Sequence, residues 1–428
     1  MKEKECKNAF VVSDNDDERE KSSAALPDLV GTGVLKDLPA SLGRIAPEGS
    51  KVLFIARDGK SEDAVRQVAG HRYRISAAVA PEKENRGAGL KDFAREIKAE
   101  EDVKLVIAAG DGEIADVGKF VAARFRLPLC VVALSPADIN YHTFVSCLTG
   151  ADGTDKYRAV KPSLTVFDFS LYPESDELAA AGFGAACARL TTAFDLYAGR
   201  LLRGDDGIDE FGFAAKVVQK LISSDKITSA KIGEATASLS AACGSDQRLS
   251  GGGAARTAEV LETLKRRHGE KAKLRGENEM LLALPIIRSY AAFLSLIPAL
   301  PVNAPDDNLR LELLAKKLGA NPFAAARRMM PQADFDDLRR KIYVLGEYRS
   351  DLLARCVIIE KTLVFATKRM KRLYKDKGYS YNNYLTADEM RICFALASEM
   401  RGGNVVMKIM KQAGYLEKIA CDAAKIPA

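Results

Sequence analysis

The chain's clearest candidate for chemistry is a glycine-rich turn between an apolar run and a helical pattern. In the sequence AAGDGEIADVGK, at residues 108–119, Gly110 and Gly112 stand two positions apart. Glycines at such a junction let phosphate oxygens approach the backbone, and the first turn of the following helix offers N–H donors and a partial positive charge. The pattern predicts a phosphate or dinucleotide site, or else a junction in which the glycines serve only tight backbone geometry.

Two carboxylates in the same turn complicate a phosphate site. Asp111 and Glu113 lie on either side of Gly112. Both favour the positive end of a helix dipole, but both would also repel a pyrophosphate bound there. Two hypotheses follow: a ligand binds this turn in another way, or the carboxylates have taken its place.

Composition limits the metal chemistry and the partners. The chain of 428 residues contains three histidines, His71, His142 and His268, which are too few for an ordinary metal enzyme. The net charge of +6 arises from 64 basic and 58 acidic residues spread along the chain, which does not indicate a nucleic-acid partner. None of the eight cysteines is spaced as CxxC, which is typical of a reducing, cytoplasmic location.

Alternating strand and helix patterns must position the turn. Helical segments separate four β-rich runs, which are KVLFIA (51–56), RISAAVA (74–80), VKLVIAA (103–109) and PLCVVAL (128–134). Apolar runs without polar alternation are typical of central parallel strands covered by helices. Asp58 and Ser135 follow two of these runs as Gly110 follows a third, and ligands bind open α/β sheets at the carboxyl ends of strands.

The pattern changes in the second half of the chain. The runs TFVSCL and SLTVFDF flank a turn-rich segment and predict a long hairpin within residues 143–169. From about Ser175 only helical patterns follow, and SGGGAA (250–255) is interpreted as a flexible loop between helices. We predict a disordered or extended tail at 1–27, an α/β nucleotide-binding-type domain with a Rossmann-like sheet at 28–172, and an all-helical domain at 173–428.

Two segments of the helical half bear on membranes and partners. Met280–Val302 is the most apolar stretch, but Arg288 and three prolines interrupt it, so buried helices are expected rather than a membrane span. The segment KTLVFATKRMKRLYKDK (361–377) predicts a basic helix. Its basic side is either a solvated face or a contact with an anionic partner or membrane surface.

Several segments together resemble one enzyme superfamily, that of dehydroquinate synthases and iron-containing alcohol and glycerol dehydrogenases. The resemblance is strongest to its sn-glycerol-1-phosphate dehydrogenase branch. GDGEIADVGK (110–119) is similar to the family's GGGSxxDxxK, and VVALSPADINYHTF (131–144) is similar to its P-T-x-P-S-x-D-G loop. Four further segments carry the resemblance, which are VGTGVLKDLPASLG (30–43), KPSLTVFDFSLYPESDELAAAGFGAACAR (161–189), RLSGGGAARTAEVLE (248–262) and LRGENEMLLALPII (274–287).

The resemblance implies a dehydroquinate synthase-like fold with an N-terminal α/β nucleotide half and a C-terminal helical half. Enzymes of the superfamily move a hydride between NAD or NADP and an alcohol or ketone, and a divalent metal held by one aspartate and two histidines polarises the substrate oxygen. The cofactor positions that the resemblance implies are Asp58, Gly110, Asp111, Gly112, Glu113, Asp116, Lys119 and Ser135.

All three metal-ligand positions of the family are altered in this chain. The aspartate corresponds to Ala185, the first histidine falls near Ala254, and the second falls on Arg275. Alanine has no donor atom and a guanidinium cannot ligate a metal, so no metal is expected. A different alignment sets RHGE (267–270) against the second histidine motif and would keep His268, still without the aspartate.

The substrate loop and its charged neighbours differ as well. The loop's aspartate and glycine correspond to Ile139 and Asn140, and His142 lies close by, either as a site residue or as a packed histidine. Lys161 retains the family's charge type, as Arg189 does, and either binds a phosphate or is an ordinary surface cation. Arg275, His142 and Lys161 are therefore the candidate catalytic residues.

The favoured hypothesis is a divergent glycerol-1-phosphate dehydrogenase-like protein that has lost metal-dependent NAD(P) oxidoreduction. One alternative is an active oxidoreductase or lyase-type enzyme on a small phosphorylated polyol or ketone, with Arg275 stabilising a developing oxyanion in place of the metal. A second alternative is a phospho-ligand-binding or scaffold protein. NAD or NADP binding, a small phosphorylated ligand and a homo-oligomer all stay open at this point.

Overall fold

The computed structural model divides into two compact units. The first unit comprises Met1–Leu178 and Thr228–Gln247, and the second comprises Ala179–Ile227 and Arg248–Ala428. The sequence-based division at residue 173 placed Thr228–Gln247 in the helical domain, whereas this segment belongs to the first unit. The residues that the structure describes are 28–81, 89–150, 153–205, 210–243, 252–297, 335–373, 384–399 and 405–416. The predicted tail at 1–27 and the end of the predicted basic helix lie outside them.

A six-stranded parallel sheet forms the centre of the first unit, as the sequence predicts. Its spatial order is β1-β8-β5-β4-β2-β3. The strands are β1 (Leu29–Gly31), β2 (Lys51–Ala56), β3 (Arg74–Val79), β4 (Val103–Gly110), β5 (Leu129–Ala133) and β8 (Leu164–Asp168). Along β4, Val106 and Ala108 pack into one core cluster and Leu105 and Ile107 pack into another. Because successive side chains point to opposite faces, the continuous apolar run buries both sides of the sheet.

Helices on the faces of this sheet position the glycine turn. They are α1 (Leu38–Leu42), α2 (Lys60–Gly70), α3 (Gly89–Glu96), α4 (Gly112–Phe125) and α7 (Ser229–Cys243). Helix α4 lies so close to β4 that a Cβ on Gly118 would collide with Ala108. The register pairs Ala56 with Ala109 and Gly110 with Ala133, so the carboxyl ends of β2, β4 and β5 lie side by side.

The predicted hairpin is wrong in its pairing. Strand β6 (Val145–Gly150) pairs antiparallel with β7 (Gly153–Arg158), which lies inside the segment interpreted as a turn. The run SLTVFDF instead forms β8, which lies parallel between β1 and β5 and is buried at all five positions. Apolar residues without alternation, as in β8, are typical of a central strand. The sequence of β7 is polar and its strand is partly exposed, so the sequence pattern did not indicate it.

The described part of the second unit consists of helices. They are α5 (Asp176–Arg203, which begins in the first unit), α6 (Glu210–Ile222), α8 (Gly253–Arg267), α9 (Arg275–Leu296), α10 (Phe335–Glu347), α11 (Arg349–Leu373), α12 (Ala387–Glu399) and α13 (Val405–Gln412). The fold is thus α/β followed by a helical region, as expected. Helix α9 is long and apolar enough to cross a membrane, but 61% of its apolar window is buried, as in a core helix.

The predicted flexible loop at residues 250–255 is partly wrong. Helix α8 begins at Gly253, and Gly252 is its N-cap residue. A Cβ on Gly252 would lie 2.6 Å from the Cα of Thr192, and one on Gly253 would collide with the hydroxyl of Tyr290. These glycines therefore serve close packing at a helix start rather than flexibility.

Candidate functional site

The glycine turn joins β4 to α4 with little spare room. Gly110 has a φ of 159°, and a Cβ there would lie 2.8 Å from the Cβ of Ile114. Asp111 is the N-cap residue, and its Oδ1 accepts a hydrogen bond from the backbone N–H of Ile114 at 3.2 Å. The turn thus has the strand–turn–helix geometry that the sequence predicts, with a carboxylate at the helix start.

Arg57 binds both carboxylates of the turn. Its Nη1 lies 2.8 Å from each oxygen of Asp111, and its Nη2 lies 2.8 Å from Oε2 of Glu113. Burial lowers the pKa of Arg57, but the two carboxylates outweigh that effect and raise it. Sequence reasoning missed Arg57, although its place directly after β2 puts it beside the end of β4.

Asp138 fills the space in front of Gly112. The backbone N–H of Gly112 donates to Oδ2 of Asp138 at 2.9 Å. A Cβ on Gly112 would lie 2.5 Å from Cγ of Asp138, so the carboxylate lies directly against the glycine. Asp138 belongs to the loop after β5 and was not among the residues predicted from the sequence.

Asp116 and Lys119 form a buried ion pair beneath the same loop. Lys119 is 0% exposed, and its Nζ donates to Oδ1 of Asp116 at 3.0 Å, the carbonyl of Asn140 at 2.6 Å and Oγ1 of Thr143 at 3.2 Å. Burial raises the pKa of Asp116, and Lys119 opposes that shift. The backbone N–H of Cys147 donates to the other oxygen of Asp116. The pair ties the loop and β6 to α4, and direct cofactor contact by either residue stays a prediction.

His142 is a buried histidine held on both ring nitrogens. Its Nδ1 lies 2.8 Å from Oγ of Ser240 on α7, and its Nε2 lies 2.7 Å from Oδ2 of Asp28. The ring stacks on Phe167 with centroids 5.6 Å apart. The arrangement is an acid–histidine–hydroxyl chain for which the sequence offered no motif. Because Ser240 is fully buried, its hydroxyl lies out of reach of a substrate here, and the chain connects three segments of the unit.

Asp168 is a further polar residue that sequence reasoning missed. It ends β8 and accepts backbone hydrogen bonds from Gly33 and Leu35, both at 2.8 Å, and from Ser170 at 3.0 Å. Burial alone would raise the pKa of Asp168, but these donors and the Ser170 hydroxyl more than offset it, so the pKa is lowered. Gly33 has a φ of 72°, which favours glycine in this anion-binding turn.

The other predicted residues of the first unit are spread over different surroundings. Asp58 is exposed after β2, and Lys161 is exposed before β8. Ser135 is buried, its Oγ accepts from the backbone N–H of Ala137 at 3.1 Å, and its carbonyl accepts from the hydroxyl of Tyr141 at 3.0 Å. His71 is exposed, as expected. The predicted catalytic role of Lys161 stays a prediction.

The resemblance sets Ala185 and Ala254 against two of the family's metal ligands, and both alanines are buried. Ala185 on α5 is 4% exposed and Ala254 on α8 is 1% exposed. At the start of α9, a Cβ on Gly276 would collide with the carbonyl of Ala181 and lie 2.9 Å from the Cβ of Ala185. The two helices therefore meet through small residues, and neither alanine side chain offers a ligand atom to a metal.

Arg275 faces a carboxylate. Its guanidinium makes two hydrogen bonds to Glu262 on α8, at 2.5 Å from Nε to Oε1 and at 2.9 Å from Nη2 to Oε2. Burial lowers the pKa of Arg275 and Glu262 outweighs that effect, so the pKa is raised. The predicted role of Arg275 as an electrophile stays a prediction.

One group of metal-type donors occurs among the residues described. His268, Glu270 and Glu389 offer ligand atoms within 4.8 Å of one another. His268 is the histidine that the second alignment would keep. However, Nζ of Lys265 lies 2.8 Å from both glutamates, so an ammonium already offsets one of their two negative charges.

Asp195 is a buried acid that sequence reasoning also missed. Its carboxylate accepts from the backbone N–H of Gly253 at 2.8 Å, from that of Val406 at 3.1 Å and from the hydroxyl of Tyr290 at 3.0 Å. It therefore lies at the starts of both α8 and α13. Burial raises the pKa of Asp195 to about 7, and the donors oppose this shift.

Comparisons with known proteins agree with this architecture. Residues 29–171 match the family model of iron-containing alcohol dehydrogenases. The glycerol-1-phosphate dehydrogenase [NAD(P)+] of Hyperthermus butylicus is 27% identical over 186 residues, 41% of this chain and 51% of that protein. The chain thus matches about half the length of this curated relative.

Solved structures share the fold. A 1,3-propanediol oxidoreductase has a TM-score of 0.53 at 13% identity and covers 92% of this chain and 100% of its own. An iron-containing alcohol dehydrogenase from Thermococcus thioreducens has a TM-score of 0.52 at 11% identity and covers 95% and 100%. Together the matches confirm the predicted resemblance to the iron-containing alcohol dehydrogenase superfamily, with its Rossmann-like and helical parts. Within that superfamily, the chain is similar to the glycerol-1-phosphate dehydrogenase-like branch.

Proposed function

We propose that this chain is a divergent glycerol-1-phosphate dehydrogenase-like protein without metal-dependent NAD(P) oxidoreductase activity. The observation that carries the proposal is the packing around Ala185, where Gly276 and Ala181 leave no side-chain donor and little space. Three altered ligand positions are hard to reconcile with a Lewis acid that needs fixed oxygen or nitrogen ligands. A cytoplasmic location belongs to the same proposal.

The ion pair of Arg275 weighs against the main alternative. A guanidinium that already forms two charge-assisted hydrogen bonds to Glu262 has less capacity to stabilise a developing oxyanion. A phospho-ligand-binding role makes no demand on Arg275.

The test measures metal content and turnover of the purified full chain. We expect substoichiometric zinc, nickel and iron, no oxidation of glycerol 1-phosphate or glycerol with NAD+ or NADP+, and no shift of the melting temperature on adding these metals. One bound equivalent of metal that turnover requires would refute the proposal. Turnover that survives a chelator and disappears in Arg275→Ala would favour the Arg275 mechanism, with Arg267→Ala on the exposed end of α8 as the matched control.

A further inference from the structure

We infer that Asp138 acts as an internal anion in the glycine turn and determines whether this turn accepts a phosphate group. A phosphate at a helix N-terminus needs the backbone N–H donors of the first turn and close access to the glycines. At this turn the Gly112 N–H donates to Asp138, and the Ile114 N–H donates to Asp111. Two of the donors that would receive a phosphate are therefore used within the chain.

The position of the Asp138 carboxylate supports this inference more strongly than its hydrogen bond from Gly112 does. Its Cγ, Oδ1 and Cβ lie at 2.5, 2.6 and 2.9 Å from the point where a Cβ of Gly112 would stand. Glycine in such a turn allows a ligand to approach the backbone, and here a side chain of the neighbouring loop occupies that approach. A phosphate oxygen and the Asp138 carboxylate cannot occupy the same space.

Charge acts in the same direction. Arg57 forms hydrogen bonds to Asp111 and Glu113 and holds both of them beside the turn. Asp138 adds a third carboxylate beside the same backbone. An incoming pyrophosphate would therefore meet carboxylates at short distance, and like charges placed together disfavour binding strongly. Removal of Asp138 vacates the space, frees the Gly112 N–H and removes one charge at once.

The experiment measures the dissociation constants of inorganic pyrophosphate and of NADPH by calorimetry for the full chain and its variants. We expect Asp138→Ala to bind both about tenfold more tightly, or better, than the unaltered chain. Asp138→Asn should gain less, because its amide oxygen can still accept from Gly112. The matched control is Asp102→Ala, which removes the same charge from an exposed position at the amino end of β4. Circular dichroism verifies that each variant is folded.

Three results would overturn the inference. Unchanged affinities in Asp138→Ala and Asp138→Asn would show that the carboxylate does not control the turn. Weaker binding in Asp138→Ala would make Asp138 part of a ligand site. An equal gain in affinity in Asp102→Ala would show that the effect arises from the net charge alone. Because none of these readouts involves a metal or turnover, the inference can fail while the proposed function stands, and the reverse also holds.

Discussion

The glycine turn of the first unit and the helix contact around Ala185 in the second are built in opposite ways. At the turn, polar groups are paired with one another, as Arg57 with Asp111 and Asp138 with Gly112. At the helix contact, small residues pack closely. The N–H groups at a helix start belong to the backbone, so substitution does not remove them and they need an acceptor. A site built from side chains, by contrast, can be removed by replacing those side chains.

The largest expected effect tests whether the buried ion pair of Asp116 and Lys119 stabilises the first unit. Lys119→Met leaves the Asp116 carboxylate buried without its cation and should lower the free energy of unfolding by about 4 kcal/mol. Denaturant unfolding followed by circular dichroism measures the change. The double variant Asp116→Asn with Lys119→Met should recover part of the loss, because no uncompensated charge then remains. A loss in Lys119→Met below about 1 kcal/mol would contradict a structural role for the pair.

A slightly smaller effect tests the packing in the second unit. Gly276→Ala places a Cβ against the carbonyl of Ala181, so the helices must move apart, and the free energy of unfolding should fall by about 3 kcal/mol. Gly346→Ala on α10 is the matched control. Its Cβ would meet only a methyl of Ile297 at 3.4 Å, and alanine favours a helix, so we expect no loss of stability there. Equal stability of the two variants would show that the contact at Ala185 is open enough for side chains.

The sequence predicts the sheet, the turn and the helical second half because these depend on local patterns. Continuous apolar runs identify the central strands, and Gly110 with Gly112 identifies the junction of β4 and α4. The pairing of β8 escaped prediction because it depends on which distant strand is adjacent in the sheet. The partners Arg57 and Asp138 escaped for the same reason, since each lies on a different loop from the turn that it binds.

The buried acid Asp195 of the second unit was not predicted, for a related reason. Asp195 lies in a helical pattern of small and apolar residues, and nothing in that pattern indicates two other helix starts nearby. Its acceptor role depends on Gly253 and Val406, which are distant in the chain. A residue of this kind can be recognised only once the fold brings its donors together.

The smallest expected effect extends the comparison to Asp195, a buried acid of the second unit that accepts hydrogen bonds from neutral donors. The pKa of Asp195 is raised from 3.8 to about 7, so the folded chain holds its proton when the unfolded chain has released it. The stability from this group is complete below about pH 4 and is lost as the pH rises through about 7. We expect the free energy of unfolding to fall by roughly 2 kcal/mol between about pH 4.5 and 6, and Asp195→Asn should remove this slope. Denaturant melts at pH 4.5, 6 and 8 compare the two chains, and a slope that is the same in both would mean that the Gly253, Val406 and Tyr290 donors keep Asp195 ionised throughout.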